Sequence, residues 1–196
     1  MARKAKATKK APAKRANGNG EMKPMEAVAL LKADHRIVEG LFEEFENTKG
    51  AKAKQRIANQ ICLELIVHAQ IEEEIFYPAV KEAVEEEIYT EAHVEHDGAK
   101  VLIAEILAGA PDDEFYDANV KVLSEMIKHH VHEEEMRDGM FAQAKRVDDV
   151  DMVALGEKLA QRKADLTALY KRNGLPAPTT RTMKSMPSLE LGQPVA

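Results

Sequence analysis

The chain has 196 residues, of which 44% are hydrophobic, 32% are charged and 5% are aromatic. This balance is typical of a helical globular domain, and no run approaches the ~18 consecutive apolar residues that a membrane-spanning helix needs. The single cysteine, Cys62, excludes an intrachain disulfide and a Cys-based zinc site, and no apolar stretch of a secretory signal follows the N-terminus. We therefore expect a cytoplasmic protein without a membrane partner.

Residues 1–22 are predicted to form a basic, disordered tail. The first 20 residues carry five Lys, two Arg and no acidic residue, so the other 176 carry a net charge of −6 − 7 = −13. A tail of this charge can bind anionic surfaces such as nucleic acid. Its Ala/Lys/Pro composition favours a solvated extension over a nucleic-acid-binding segment.

Residues 23–146 have the periodicity of four amphipathic helices, in which inward positions recur at alternating steps of three and four. Each helix carries a histidine at one of these positions, in chain order His35, His68, His96 and His129. The predicted inward face of the fourth helix is Val122, Met126, His129, Glu133, Met136 and Met140. Short connections between the helices predict an all-α protein with an antiparallel, up-down-up-down four-helix bundle.

Two further segments follow the bundle. Residues 147–171 are amphipathic, with Leu155, Leu159 and Leu166 at helical spacing, and predict an accessory helix packed outside the bundle. Residues 172–196 have no usable periodicity and are predicted to form an irregular C-terminal tail.

The predicted helices contain an internal repeat at an offset of 61 residues. His35 corresponds to His96 and His68 to His129, and the run Glu72-Glu73-Glu74 corresponds to Glu133-Glu134-Glu135. His-x-x-x-Glu therefore occurs in the second and in the fourth helix. Side chains four residues apart lie one above the other on a helix, so each pair can reach a common centre.

The repeat predicts a metal site, because it places several ionisable groups at core positions. Burying even a neutral polar group without a partner costs about 2–7 kcal/mol, whereas a metal ion turns imidazole nitrogens and carboxylate oxygens into ligands. An all-N/O ligand set too large for one tetrahedral ion suits two iron or manganese ions. The predicted ligands are His35, His68, Glu72, His96, His129 and Glu133.

These residues resemble the hemerythrin-like family, in particular its HHE cation-binding domains. The resemblance covers roughly residues 25–145 and lies in DHRIVEGLFEEF, IVHAQIEEEIFYP, EHDGAKVLIAEI and HHVHEEEM. It implies two non-haem iron ions with an oxygen-derived bridge, His35 and His68 mainly on one iron and His96 and His129 on the other. Glu72 and Glu133 would bridge the pair.

The sequence departs from the oxygen-carrying hemerythrins in the third and fourth helices. Those proteins place two histidines four apart in the third helix, and they follow the fourth-helix histidine with Asp at +5, where this chain has Glu134. His93 and His132 lie about 60° from the metal direction and are candidates for a fifth nitrogen, whereas His130, about 100° from His129, is expected to point away.

Three functions remain open from the sequence. The first is a di-iron protein that binds O2, NO or peroxide, or senses iron or oxygen through its own occupancy. The second is a peroxide-consuming di-iron enzyme, and the third is an interaction module that uses the basic tail. A ferritin-like oxidase is excluded because that class needs Glu-x-x-His, and no His in this chain follows a Glu at that spacing.

Overall fold

A computed structural model describes residues 25–147, 149–177 and 180. The predicted basic tail and most of the predicted C-terminal tail lie outside the described residues. Within the described part there are helices and no strands, as expected for an all-α protein. None of the described helices is long and apolar enough to cross a membrane.

Four long helices form the bundle: α1 (Ala27–Asn47), α2 (Ala51–Ile71), α4 (Glu86–Ala108) and α5 (Tyr116–Glu135). Between α2 and α4 lie a π-helical turn (Glu72–Phe76), the short helix α3 (Tyr77–Val80) and a 3-10 turn (Lys81–Ala83). The helix α1 packs on α2 and α5, and α4 packs on the same two helices, so the four form a closed ring. Short connections make neighbouring helices antiparallel, which confirms the predicted bundle.

The predicted accessory helix is also present. After the short helix α6 (Met140–Ala144), α7 (Met152–Asn173) packs outside the bundle against α1 and α2. The Asp151 carboxylate caps α7 by accepting hydrogen bonds from the backbone N–H groups of Val153 and Ala154. Gly156 is required at the contact with α1, because a Cβ there would collide with the Met25 carbonyl oxygen.

The apolar core is divided into two clusters by a polar layer. On α1, Leu31 belongs to one cluster and Val38 to the other, and Asp34 and His35 lie buried between them. On α4, His96 likewise lies between Ala92 of the first cluster and Ala99 of the second. The ionisable layer is therefore held on both sides by packed apolar side chains, which fix the positions of its members.

Candidate metal centre

Four buried histidines converge on the bundle axis in two pairs. The Nε2 atoms of His35 on α1 and His68 on α2 lie 3.1 Å apart. The Nε2 atoms of His96 on α4 and His130 on α5 lie 3.3 Å apart. Each of the four long helices thus contributes one imidazole to the polar layer.

Two buried glutamates connect the two histidine pairs. Glu72 Oε2 lies 3.3 Å from His68 Nε2 and 3.5 Å from His96 Nε2. Glu134 Oε2 lies 3.3 Å from His35 Nε2 and 3.6 Å from His130 Nε2. Both Glu72 oxygens and Glu134 Oε2 are buried without a hydrogen-bond partner. Unpartnered buried carboxylate oxygens are costly, so these atoms require a cation.

The six side chains form two groups of potential ligands that share Glu72. One group is His35, His68, Glu72 and Glu134, and the other is Glu72, His96 and His130. Ligands bound at about 2.1 Å and at right angles lie about 3 Å from each other. The observed separations of 3.1–3.6 Å between neighbouring donor atoms match this spacing. The donor atoms of both groups therefore have the spacing of metal ligands.

The Nδ1 atoms of His96 and His130, which face away from the centre, show why a cation is needed between the two Nε2 atoms. His96 Nδ1 lies 3.0 Å from Glu73 Oε1, and His130 Nδ1 lies 2.7 Å from Glu95 Oε2. Ionised carboxylates only accept hydrogen bonds, so both Nδ1 atoms donate. If both imidazoles were neutral, each would carry a lone pair on Nε2 and the two lone pairs would face each other, so a proton or a metal ion has to lie between them. His–carboxylate pairs of this kind orient histidine ligands in metalloproteins.

In the metal-free protein, protons compensate these carboxylates. Burial opposes the charged form of His68, but Glu72 and Asp34 outweigh it and raise the pKa of His68 to about 10. Burial likewise opposes the charged form of His96, but Glu72 and Glu73 raise its pKa to about 9. Burial alone would raise the pKa of Glu72, yet the two imidazolium groups hold it well below its usual range. Metal binding must displace the histidine protons.

The metal-free protein is therefore expected to lose stability as the pH rises from about 6.5 to about 10. A histidine whose pKa is raised by folding stabilises the folded state fully below its unfolded pKa, and this contribution disappears as the pH passes its folded pKa. The melting temperature of chelator-treated protein, measured by circular dichroism across this range, should fall more steeply for the wild type than for His68→Ala. Parallel slopes in the two proteins would contradict the raised pKa of His68.

The π-helical turn after α2 delivers both Glu72 and Tyr77 to the centre. Pro78 cannot donate a backbone hydrogen bond, and its ring clashes with the carbonyl four residues earlier in a regular helix. Here the turn widens, and the Tyr77 N–H donates to the Glu72 carbonyl, five residues earlier. The extra residue in this turn brings Tyr77 inward, as π-helical turns often do at functional sites.

Tyr77 is a buried hydrogen-bond donor at the centre that the sequence did not predict. Its side chain is fully buried, and its hydroxyl donates a hydrogen bond to Glu134 Oε1 at 3.1 Å. The hydroxyl oxygen of Tyr77 also lies 3.4 Å from His96 Nε2. Burial, together with the charges of Glu134 and Glu72, raises the pKa of Tyr77 well above its usual range. The phenol therefore remains protonated in the metal-free protein.

A small cavity adjoins the histidines on the side of the second apolar cluster. Its volume is about 30 Å³, and its lining includes His35, His68, His96, His130 and the apolar side chains Val38, Leu65, Ala99, Ile103, Ile127 and Val131. A single water needs about 10–15 Å³ of such space, so the cavity accommodates a molecule of two heavy atoms beside the metal positions.

Four of the six predicted ligands, His35, His68, Glu72 and His96, are brought together by the structure. The other two, His129 and Glu133, are not, and this part of the prediction is corrected. The His129 side chain is 60% exposed and lies 3.5 Å from Glu95 on the outside of the bundle. Glu133 lies 3.8 Å from His129 there.

The inward positions are instead taken by the next residues. These are His130, which the sequence predicted to point away, and Glu134, which stands at the +5 position that holds Asp in the oxygen-carrying hemerythrins. The spacing from His96 to His130 is 34 residues, against 33 from His35 to His68. The second copy of the repeat thus has one additional residue, and the fourth helix faces inward one position later than predicted.

The two other candidate histidines lie outside the ligand groups. His93 packs against Tyr77 and Tyr89, with ring centroids 5.2 and 4.9 Å away. His132 is exposed on α5. Among the described residues, neither belongs to a group of side chains that could hold an ion.

Comparison with known proteins gives a family and several relatives. A family model described as the hemerythrin HHE cation binding domain matches residues 26–142. A Nostoc protein named DNA nickase is 30% identical over 106 residues, which are 54% of this chain and 30% of that protein. An uncharacterized Mycobacterium tuberculosis protein is 27% identical over 160 residues, 81% of this chain and 94% of its own length.

One solved structure has the same fold. It is a hemerythrin HHE cation binding domain-containing protein from Mycobacterium kansasii, with a TM-score of 0.65 and 20% sequence identity. The alignment covers 78% of this chain and 96% of that chain. At this identity the likeness establishes the helical fold, and the ligand set of the present chain follows from its own geometry.

Proposed function

The chain belongs to the hemerythrin HHE cation-binding domain family, and from this premise we propose that it is a non-haem di-iron protein that binds O2, NO or peroxide at its His/Glu centre. The observation that carries the proposal is the pair of ligand groups sharing Glu72, whose two oxygens are buried and unpartnered. Iron is favoured because the donors are imidazole and carboxylate without sulfur, a set typical of di-iron carboxylate proteins in helical bundles.

The proposed ligand is a small molecule because of the dimensions of the pocket. Six protein side chains serve two ions, which leaves room for exogenous ligands in a six-coordinate pair. Beyond the histidines, the adjoining cavity of about 30 Å³ is lined mostly by apolar side chains, with Asp34 and Lys100 as its charged members. Its size suits a diatomic molecule or peroxide and disfavours larger anions. When bound, the ions would supply the coordination and redox chemistry, and the protein would position the ligand and limit access by water.

The first test is metal content per chain, by elemental analysis of freshly purified protein, with an absorption spectrum of the same sample. We expect two irons per chain and oxo-bridged di-iron absorption. Spectral changes on separate addition of O2, NO and peroxide would then identify the ligand. Manganese or zinc at two per chain would correct the metal identity, and no uptake of ferrous ion under anaerobic conditions would refute the proposal.

A second candidate function, peroxide consumption, is favoured by Tyr77. Its protonated hydroxyl contacts Glu134 and lies next to His96, so it can donate a hydrogen bond at the buried centre. Hydrogen-bond donors fixed where negative charge develops in a transition state contribute roughly 10²–10³-fold to reaction rates.

Tyr77→Phe therefore distinguishes binding from turnover. We expect the variant to retain two ions, because the phenol ring and its packing remain, and to consume peroxide at least about tenfold more slowly than the wild type. Peroxide loss, measured as oxygen evolution and compared with an equal amount of free iron, provides the rate. Equal rates for wild type, variant and free iron would eliminate the enzymatic candidate and leave ligand binding.

A further inference from the structure

The helix α7 lies beyond the family-matched residues 26–142, yet three of its side chains make polar contacts beside the centre. Arg162 donates to both carboxylate oxygens of Glu74 in the π-helical turn, at 2.8 and 3.2 Å. Tyr170 donates to Gln70 at 2.5 Å. Lys163 Nζ lies 2.5 Å from Asp34 Oδ1 on α1 and 3.7 Å from Glu64 Oε2 on α2. The first two side chains hold α7 on α2, and the third reaches the polar layer itself.

Each of the four buried histidines has a carboxylate beside its Nδ1 atom, here called its outer carboxylate. The outer carboxylate of His68 is Asp34, and its geometry differs from that of the other three. Glu135, Glu73 and Glu95 lie 2.7–3.0 Å from the Nδ1 atoms of their histidines. Asp34 Oδ2 lies 3.6 Å from His68 Nδ1, and both atoms are buried without a hydrogen-bond partner. The carboxylate is held instead through its other oxygen by Lys163.

The lysine or arginine that pairs with the outer carboxylate also distinguishes His68 from the other histidines. Glu73 is neutralised by Lys100 on α4 and Glu135 by Arg36 on α1, so both cations belong to the bundle. Asp34 takes its cation from α7, outside the bundle. Of the outer carboxylates with a lysine or arginine partner among the described residues, Asp34 alone depends on an element beyond the four helices.

We propose that Lys163 is a positioning residue that holds Asp34 beside His68 and thereby links the docking of α7 to retention of the ion at the His35/His68 position. The inference rests on the proposed two-ion centre. Without Lys163, a buried carboxylate would lose its cation, an arrangement that is strongly unfavourable. Asp34 would turn towards the space that Lys163 leaves, and His68 would lose the carboxylate that lies 3.6 Å from its Nδ1 atom. Changes of such outer partners typically cost 10–100-fold in metal affinity.

The linkage is reciprocal by thermodynamic necessity. If docking of α7 strengthens binding of the ion, binding of the ion strengthens docking of α7 by the same factor. Metal loading should therefore increase the hydrogen-exchange protection of α7, including the part far from Lys163. This makes α7 an element that responds to metal occupancy.

The test follows release of iron from the loaded full-length protein to a ferrous chelator under reducing conditions. For Lys163→Ala we expect two phases, with one ion released about 10–100-fold faster than from the wild type and the other at the wild-type rate. Lys158→Ala, an exposed change on the same helix, is the matched control and should behave as wild type. Lys163→Arg keeps the charge and should restore slow release.

Two further measurements separate positioning from general loosening of α7. Lys163→Ala in an Asp34→Asn background should add little to the Asp34→Asn effect, because Lys163 acts through Asp34. Arg162→Ala weakens docking without touching Asp34 and should lower the exchange protection of α7 with a smaller effect on release. Equal acceleration of both ions in Lys163→Ala, or full additivity with Asp34→Asn, would overturn the inference.

These outcomes are distinguishable from failure of the proposed function. A wild-type protein that binds fewer than two ions would remove the two-ion centre before any variant is compared. A wild-type protein with two ions, and a Lys163→Ala protein with wild-type release and wild-type exchange, would leave the centre intact and remove the role of α7.

Discussion

Glu72→Gln is expected to abolish binding of both metal ions. Glu72 is the one side chain common to the two ligand groups, and its Oε2 atom lies within 3.5 Å of a histidine from each pair. An amide of the same shape lacks the negative charge and offers one weakly coordinating oxygen. Metal content should therefore fall from two ions per chain to none, and the rise in melting temperature on metal loading should disappear, because ligand binding stabilises only through the folded state.

The matched control is Glu82→Gln, which removes one carboxylate from an exposed position further along the same connection. It should retain two ions and the metal-dependent rise in melting temperature. Circular dichroism of both metal-free variants checks that the helices remain. A folded Glu72→Gln protein that still carries two ions would show that Glu72 is not the shared ligand.

Much of the fold and most of the centre could be predicted because the bundle helices are regular. In α1, the positions that recur at alternating steps of three and four are all buried, namely Val28, Leu31, His35, Val38, Phe42 and Phe45. A helix of 3.6 residues per turn keeps such a pattern in phase over five turns. The histidines stand out because they occupy positions that otherwise hold apolar side chains.

The register of α5 was predicted wrongly because its motif is degenerate. Two adjacent histidines, His129 and His130, precede a run of three glutamates, so His-x-x-x-Glu fits at two neighbouring positions. Alignment of the glutamate runs selected the earlier position. The apolar pattern favours the later one, since Leu123, Ile127 and Val131 are spaced by four and buried, whereas Val122 is 46% exposed. The four-residue spacing of Leu123, Ile127 and Val131 therefore predicts the inward face of α5 better than the repeat does.

Tyr77 was missed for a different reason, because helical phase is lost across the π-helical turn. Continued from Glu72 at 3.6 residues per turn, the inward positions would be Ile75 and Ala79. Both are only partly buried, whereas Phe76, Tyr77 and Val80 are fully enclosed. One additional residue in the turn rotates the rest of the segment. Pro78 indicates that the helix is irregular here, but it does not indicate which of the following side chains turn inward.

The corrected register leads to a paired prediction, His130→Ala against His129→Ala. The two residues are adjacent and chemically identical, so the two variants differ only in whether the removed side chain points into the bundle or out of it. Removal of His130 leaves its ligand group with Glu72 and His96 alone, and we expect metal content to fall from two ions to one. It also leaves a cavity in a packed layer, which lowers the melting temperature. Removal of His129, whose side chain is 60% exposed, should leave two ions and a melting temperature close to that of the wild type.

The opposite result would reverse the assignment. If His129→Ala lost an ion and His130→Ala kept both, the loaded protein would use the register of the 61-residue repeat, with α5 rotated by about 100° from its present orientation. Such a rotation would turn Val131, which is buried here, away from the core and expose its apolar surface to water. It would also expose Ile127, which packs in the second apolar cluster. Loss of metal in His130→Ala alone is therefore the outcome that agrees with both the ligand geometry and the packing of α5.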